Sequence, residues 1–149
     1  MADAALRVLV LHGPSLGWLG RREPTVYGTE TLDALNERIV AHGAAVGLQV
    51  VCRQSNHEGA LIDWLLADEA DAIVLNAGAF AHGSLAIADA VRTIAPIPVV
   101  EVHLSNTMAR DAARHPAPVG AACRARLEGF GGDGYLMALD AVAGWLRRR

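Results

Sequence analysis

The 149-residue chain has no lysine, and all 13 of its basic residues are arginine. That absence excludes every mechanism that runs through a lysine imine. It also excludes the phosphate-binding loop, whose Gly-Lys-Ser/Thr ending needs the ammonium group. Cysteine is nearly as scarce: Cys52 and Cys123 stand far apart without C-x-x-C spacing, so two buried thiols are expected rather than a metal site or a bridge. Charge is close to balance, with 13 basic against 16 acidic residues and a net charge of -3. Such a chain carries no electrostatic footprint for nucleic acid, and none is expected as a partner. No stretch approaches the roughly 20 apolar residues of a membrane span, and Met-Ala-Asp-Ala-Ala is not a basic segment leading into an apolar one. No membrane partner is expected, and the expected location is cytoplasmic.

What the chain does have is a core: 52% of its residues are hydrophobic. A chain of this length buries about 68–70% of its unfolded surface and needs no staple, so residues 1–149 are expected to form one domain. Short, nearly continuous apolar runs at Leu6–Leu11, Leu48–Cys52, Ala72–Asn76 and Ile97–His103 have the pattern of strands covered on both faces. Between them the period becomes helical. Thr31 is placed to cap a helix carrying Leu32, Leu35, Ile39 and Val46, a second helix spans Glu58–Ala67, and Ser84 is placed to cap a third over Leu85–Ile94. A fifth strand is expected near Ala122–Leu127, where Arg124, Arg126 and Glu128 alternate with Ala125 and Leu127 as on an edge strand, followed by a helix over Tyr135–Arg148. This alternation predicts an α/β fold: a flavodoxin-like three-layer sandwich with a five-stranded parallel sheet and helices on both faces.

In such sheets ligands bind at the carboxyl ends of the strands. Here those ends read His12-Gly13-Pro14-Ser15, Asn76-Ala77-Gly78 and Glu101-Val102-His103-Leu104-Ser105-Asn106. The loop Gly20–Gly28, too charged and too rich in Gly and Pro for a core, is expected to act as a mobile lid carrying Arg21, Arg22 and Tyr27. Each of these residues has an ordinary structural use when taken alone, but their convergence on one sheet edge with Arg110 and Arg114 points to a site. Other constellations are missing: there is no H-E-x-x-H, no G-x-S-x-G and no G-x-G-x-x-G after the first strand.

The ordered segments L-H-G-P-S-L-G-W-L-G-R-R-E-P-x-x-Y-G (Leu11–Gly28), R-Q-S-N-H-E-G-x-L-I-D-W (Arg53–Trp64), N-A-G-A-F-A-H-x-S (Asn76–Ser84), V-E-V-H-L-S-N (Val100–Asn106), A-R-x-x-x-R (Ala109–Arg114) and G-F-G-x-x-G-Y (Gly129–Tyr135) resemble the type II 3-dehydroquinate dehydratase family. The resemblance runs from about Leu6 to Leu146. It implies a homo-oligomer, a dodecamer built from trimers, and a lyase that eliminates water from 3-dehydroquinate through an enolate to give 3-dehydroshikimate, with no cofactor and no metal. Its substrate is a cyclic hydroxy-keto acid. By that resemblance Tyr27 is the base, with Arg22 beside it, and His103, supported by Glu101, is the acid. Ser15 takes the place of an amide that orients a water on the enolate oxygen. Asn76, Leu104 and Ser105 hold the carboxylate region, His82 and Arg114 grip ring hydroxyls, Arg110 completes the lid, and Asp89 reaches into a neighbouring subunit's site.

The side chains suit that chemistry. A phenol ordinarily titrates at about 10 and serves as a base at neutral pH only where cations favour its ionised form, a task for Arg22 and Arg110. The chain departs from the family pattern at His12 and Ser15, where Asn-Gly-Pro-Asn is usual, and at Ala81 and Gly83, where hydroxyl residues are usual. It departs again at His115-Pro116-Ala117-Pro118 and at Arg124 and Arg126, which replace smaller or apolar residues. These changes motivate two alternative readings. One is a diverged paralogue using the same tyrosine and histidine on another β-hydroxy ketone or related ring. The other is a non-catalytic carboxylate-binding oligomer.

Overall fold

In a computed structural model describing residues 4–149, the apolar runs become five strands: β1 (Leu6–His12), β2 (Leu48–Gln54), β3 (Ala72–Asn76), β4 (Val99–His103) and β5 (Ala125–Glu128). All pair in parallel in the order β2-β1-β3-β4-β5, the flavodoxin-like arrangement expected. Among the described residues six α-helices accompany them: α1 (Pro24–Tyr27), α2 (Leu32–Ala45), α3 (Glu58–Leu66), α4 (Leu85–Thr93), α5 (Pro118–Ala122) and α6 (Asp133–Arg147).

Side chains alternate across a strand, so one run feeds two cores. Val8, Val10, Val74, Val100 and Val102 face α2 and α6 through Leu35, Ile39, Tyr135, Leu139 and Val142. Leu9, Leu11, Ile73, Leu75 and Val99 face α3, α4 and α5 through Leu61, Leu65, Ile87, Val91 and Val119. The caps stand where the sequence places them, with Thr31 accepting from the Ala34 N–H and Ser84 from the Ile87 N–H. Among the described residues no helix is long and apolar enough to cross a membrane.

Two strands begin later than expected. β4 starts at Val99 because Pro98 has no N–H for the ladder. β5 starts at Ala125 because residues 118–122 form α5, a one-turn helix opened by Pro118 that the alternating pattern of Arg124 and Arg126 obscured. β5 is nonetheless an edge strand, as its polar alternation predicts.

Chain order reverses between β1 and β3, and in open α/β sheets this is where the crevice opens. Gly13 lies at its floor. Its N–H donates to the Asn76 carbonyl at 2.7 Å, and a Cβ there would lie 2.6 Å from the backbone of Ala77. Only glycine lets the two strand ends approach so closely.

Candidate active site

A cleft with about 580 Å³ of open space lies at this point. Ser15 comes from the turn after β1, Arg22 and Tyr27 from the segment ending in α1, and Asn76 and His82 from β3 and the turn after it. His103, Leu104 and Ser105 come from the end of β4, and Arg110 and Arg114 from the two turns beyond. All the expected site residues therefore meet in one cleft except Glu101, which lies behind His103, and Asp89, which is exposed on α4 and pairs with Arg92. Thr107 also lines the cleft and was not anticipated. Ala81 does not line it: it is fully buried in the core beneath α3 and α4, so the small residue there changes packing rather than the cleft wall.

Tyr27 sits between two cations. Arg110 Nη1 donates to its Oη at 2.5 Å, and the Arg22 guanidinium carbon lies 4.3 Å from the ring centroid. The Tyr27 contact, set against a smaller effect of burial, holds Arg110 above its usual arginine range. The other tyrosine has the opposite surroundings. Tyr135 is fully buried, and loss of hydration pushes its phenol up, so it stays neutral.

Tyr135 works instead in a buried chain of hydrogen bonds. Asn76 Nδ2 donates to Tyr135 Oη at 2.9 Å, and Tyr135 Oη lies 3.0 Å from His12 Nδ1. His12 Nε2 lies 2.8 Å from Asn36 Oδ1, while the Gly78 N–H donates to Asn76 Oδ1. With Nε2 carrying the proton every donor finds an acceptor, and the Asn76 amide is fixed at the cleft floor. Burial lowers His12 to about 4, opposed by the Asn36 hydrogen bond, so it is neutral at physiological pH.

On the far wall, His103 Nε2 lies 3.1 Å from Glu101 Oε1. Glu101 is fully buried, and Arg126 Nε lies 3.0 Å from its other oxygen. The His103 ring stacks on His82 with centroids 5.8 Å apart, and His82 Nδ1 donates to the Pro116 carbonyl at 3.0 Å.

Ser15 adopts φ 66°, a left-handed conformation that asparagine tolerates better. Its N–H donates to Asn56 Oδ1 at 2.9 Å. Burial raises Cys52 to about 11 and Cys123 to about 12, so both are neutral thiols and poor nucleophiles. Among the described residues no cluster of three or more His, Cys, Asp or Glu is placed to hold a metal ion.

Residues 6–143 match the family model described as dehydroquinase class II. The 3-dehydroquinate dehydratase of Ruegeria pomeroyi is 52% identical over 93% of this chain and 94% of its own, and that of Mesorhizobium japonicum 50% over 91% and 96%. The crystal structure of the type II dehydroquinase from Propionibacterium acnes superposes with a TM-score of 0.90 at 39% identity, covering 96% of this chain and 99% of that one. Fold, cleft and relatives agree, and the chain belongs to the class II dehydroquinase family.

Proposed function

We propose that the protein is a hydro-lyase that removes water from 3-dehydroquinate through an enolate to give 3-dehydroshikimate. The observation that carries this reading is a single cleft holding both a phenol flanked by two guanidinium groups and an imidazole backed by a buried carboxylate. Tyr27 takes the proton from the carbon beside the ketone. Arg22 and Arg110 flank the phenol without competing for that proton, because a guanidinium stays charged. The carbon–hydrogen electron pair moves onto the ketone oxygen, where a water held by Ser15 donates to the enolate. When the enolate collapses, the carbon–oxygen bond breaks and His103 protonates the departing hydroxyl, which leaves as water. Glu101 steadies the imidazole throughout.

Substrate binding falls to the remaining residues. Asn76 and the backbone of Leu104 and Ser105 take the carboxylate, His82 and Arg114 take ring hydroxyls, and Arg110 closes the cleft with residues 20–28 as a lid. The scheme draws on no cofactor. The working form is a cytoplasmic dodecamer of trimers in which Asp89 serves a neighbouring site. Mixing the protein with 3-dehydroquinate, without added metal or nucleotide, produces the ultraviolet absorbance of a conjugated enone. Silence at high enzyme concentration overturns the reading.

Ser15 offers a second check. Ser15→Asn relieves part of the roughly 1 kcal/mol that a left-handed serine costs and raises the unfolding midpoint. Its longer amide raises kcat on 3-dehydroquinate by less than about tenfold. A gain of about 10²–10³, the size of a restored oxyanion donor, would mean that the serine does not support this substrate and would favour the diverged paralogue.

A further inference from the structure

We infer that Arg126, on the edge strand β5, is a positioning residue for the acid step, holding Glu101 in place and through it His103. This rests on the reading of the activity given above. In the parallel register Glu101 stands opposite Arg126 and His103 opposite Glu128. Residues two apart share a face, so these four side chains form a square on one side of the sheet. Arg126 Nε lies 3.0 Å from Glu101 Oε2, and Arg126 Nη2 lies 2.9 Å from Glu128 Oε2. The same Nη2 donates to Thr107 Oγ1 at 3.0 Å, and the Thr107 hydroxyl and N–H both donate to Glu128 at 3.1 Å. The guanidinium is thus held on one side by Thr107 and Glu128 and presses its Nε against Glu101 on the other.

Glu101 depends on that contact. It is fully buried, and neither of its contacts, to His103 or to Arg126, has hydrogen-bond alignment, so charge and enclosure keep it where it is. The groups facing it are His103, Arg126 and Cys123, with α5 against its back: a Cβ on Gly120 would collide with Glu101 Oε2. Cys123 is a neutral thiol, and histidine carries charge only when protonated, so Arg126 is the permanent cation of the group. A carboxylate without it would be left buried and uncompensated. Held by Arg126, Glu101 stays beside His103 Nε2, which leaves Nδ1 to deliver the proton to the cleft. Removing Arg126 therefore weakens the delivery of the proton while leaving the groups that bind substrate in place.

The test compares the whole protein with Arg126→Met, Arg126→Lys, Glu101→Gln and the Glu101→Gln/Arg126→Met double. Arg126→Met lowers kcat about 10- to 100-fold, the usual range for losing a residue that orients an active group, with KM changed by less than about twofold. Arg126→Lys, which keeps the cation but not the fork, falls between that variant and the parent. The double variant is as fast as Glu101→Gln alone, because a neutral amide needs no cation. Full kcat in Arg126→Met, a loss confined to KM, or a further fall in the double overturns the inference. Should Arg126→Met alone fail to fold, Glu101→Gln and the double, neither burying a carboxylate, still decide it. The His103 imidazole ¹⁵N resonances give a readout free of substrate: they shift in Arg126→Met, and unchanged resonances overturn the inference. A parent that does not turn over 3-dehydroquinate sinks the activity reading. An active parent beside an indifferent Arg126→Met sinks only the role of Arg126.

Discussion

Tyr27→Phe lowers kcat on 3-dehydroquinate by about 10²- to 10⁴-fold, the usual worth of a positioned base, and leaves KM and assembly nearly unchanged. The substitution removes one oxygen. The ring keeps its place under Arg22, whose guanidinium carbon lies 4.3 Å from the centroid, so the lid segment retains that contact. What is lost is the atom that accepts the proton in the proposed scheme and that Arg110 contacts at 2.5 Å. Because the interaction is used only as the carbon–hydrogen bond breaks, the loss falls on kcat and not on ground-state binding. Steady-state rates from the enone absorbance, with size-exclusion chromatography of the variant, check both halves. Parental kcat in Tyr27→Phe would mean that another group is the base.

The second large effect is on stability in acid. His12 is neutral in the fold and lowered to about 4 by burial, against an ordinary value of 6.5. Between those values the unfolded chain takes up a proton that the folded chain refuses. Stability from this group is complete above about pH 6.5 and is lost as pH falls through 4, by about 3 kcal/mol in all. A protonated His12 also has no lone pair for the Tyr135 hydroxyl, so the chain that fixes Asn76 breaks at the same time. Urea unfolding at fixed protein concentration from pH 7 to 4 is expected to show the parent losing about 3 kcal/mol more than His12→Gln. Identical pH dependence in the two proteins would place the proton elsewhere.

Much of this molecule is legible in its residues because parallel strands buried on both faces read as apolar runs. The apolar runs mark β1 and β3 to within a residue of their ends, and the cleft follows from where those ends lie. Edges and short turns carry less pattern of their own. α5 has five residues and no amphipathic period, so nothing set it apart from a strand approach. Arg126 reads as the polar face of an edge strand, yet it turns inward, because its partner Glu101 is 25 residues away and the pairing exists only in the sheet register. Ala81 lies in a motif that reads as cleft wall, but the turn after β3 aims it into the core while its neighbour His82 faces the cleft. Thr107 carried no signal of its own: a lone threonine after Asn106 gains its role from Glu128 and Arg126.

The chain linking Gly78, Asn76, Tyr135, His12 and Asn36 can run in only one direction. Its members other than Gly78 could each be turned end for end, but a peptide N–H cannot reverse its polarity. The Gly78 amide therefore dictates the amide flip of one asparagine, the rotor of a phenol and the tautomer of an imidazole, and it obliges Asn36 on α2 to present oxygen. An aspartate at position 36 would also present oxygen, but its charge beside His12 Nε2 would favour the imidazolium, which has no lone pair for the Tyr135 hydroxyl, so deamidation there would undo the chain at the cleft floor.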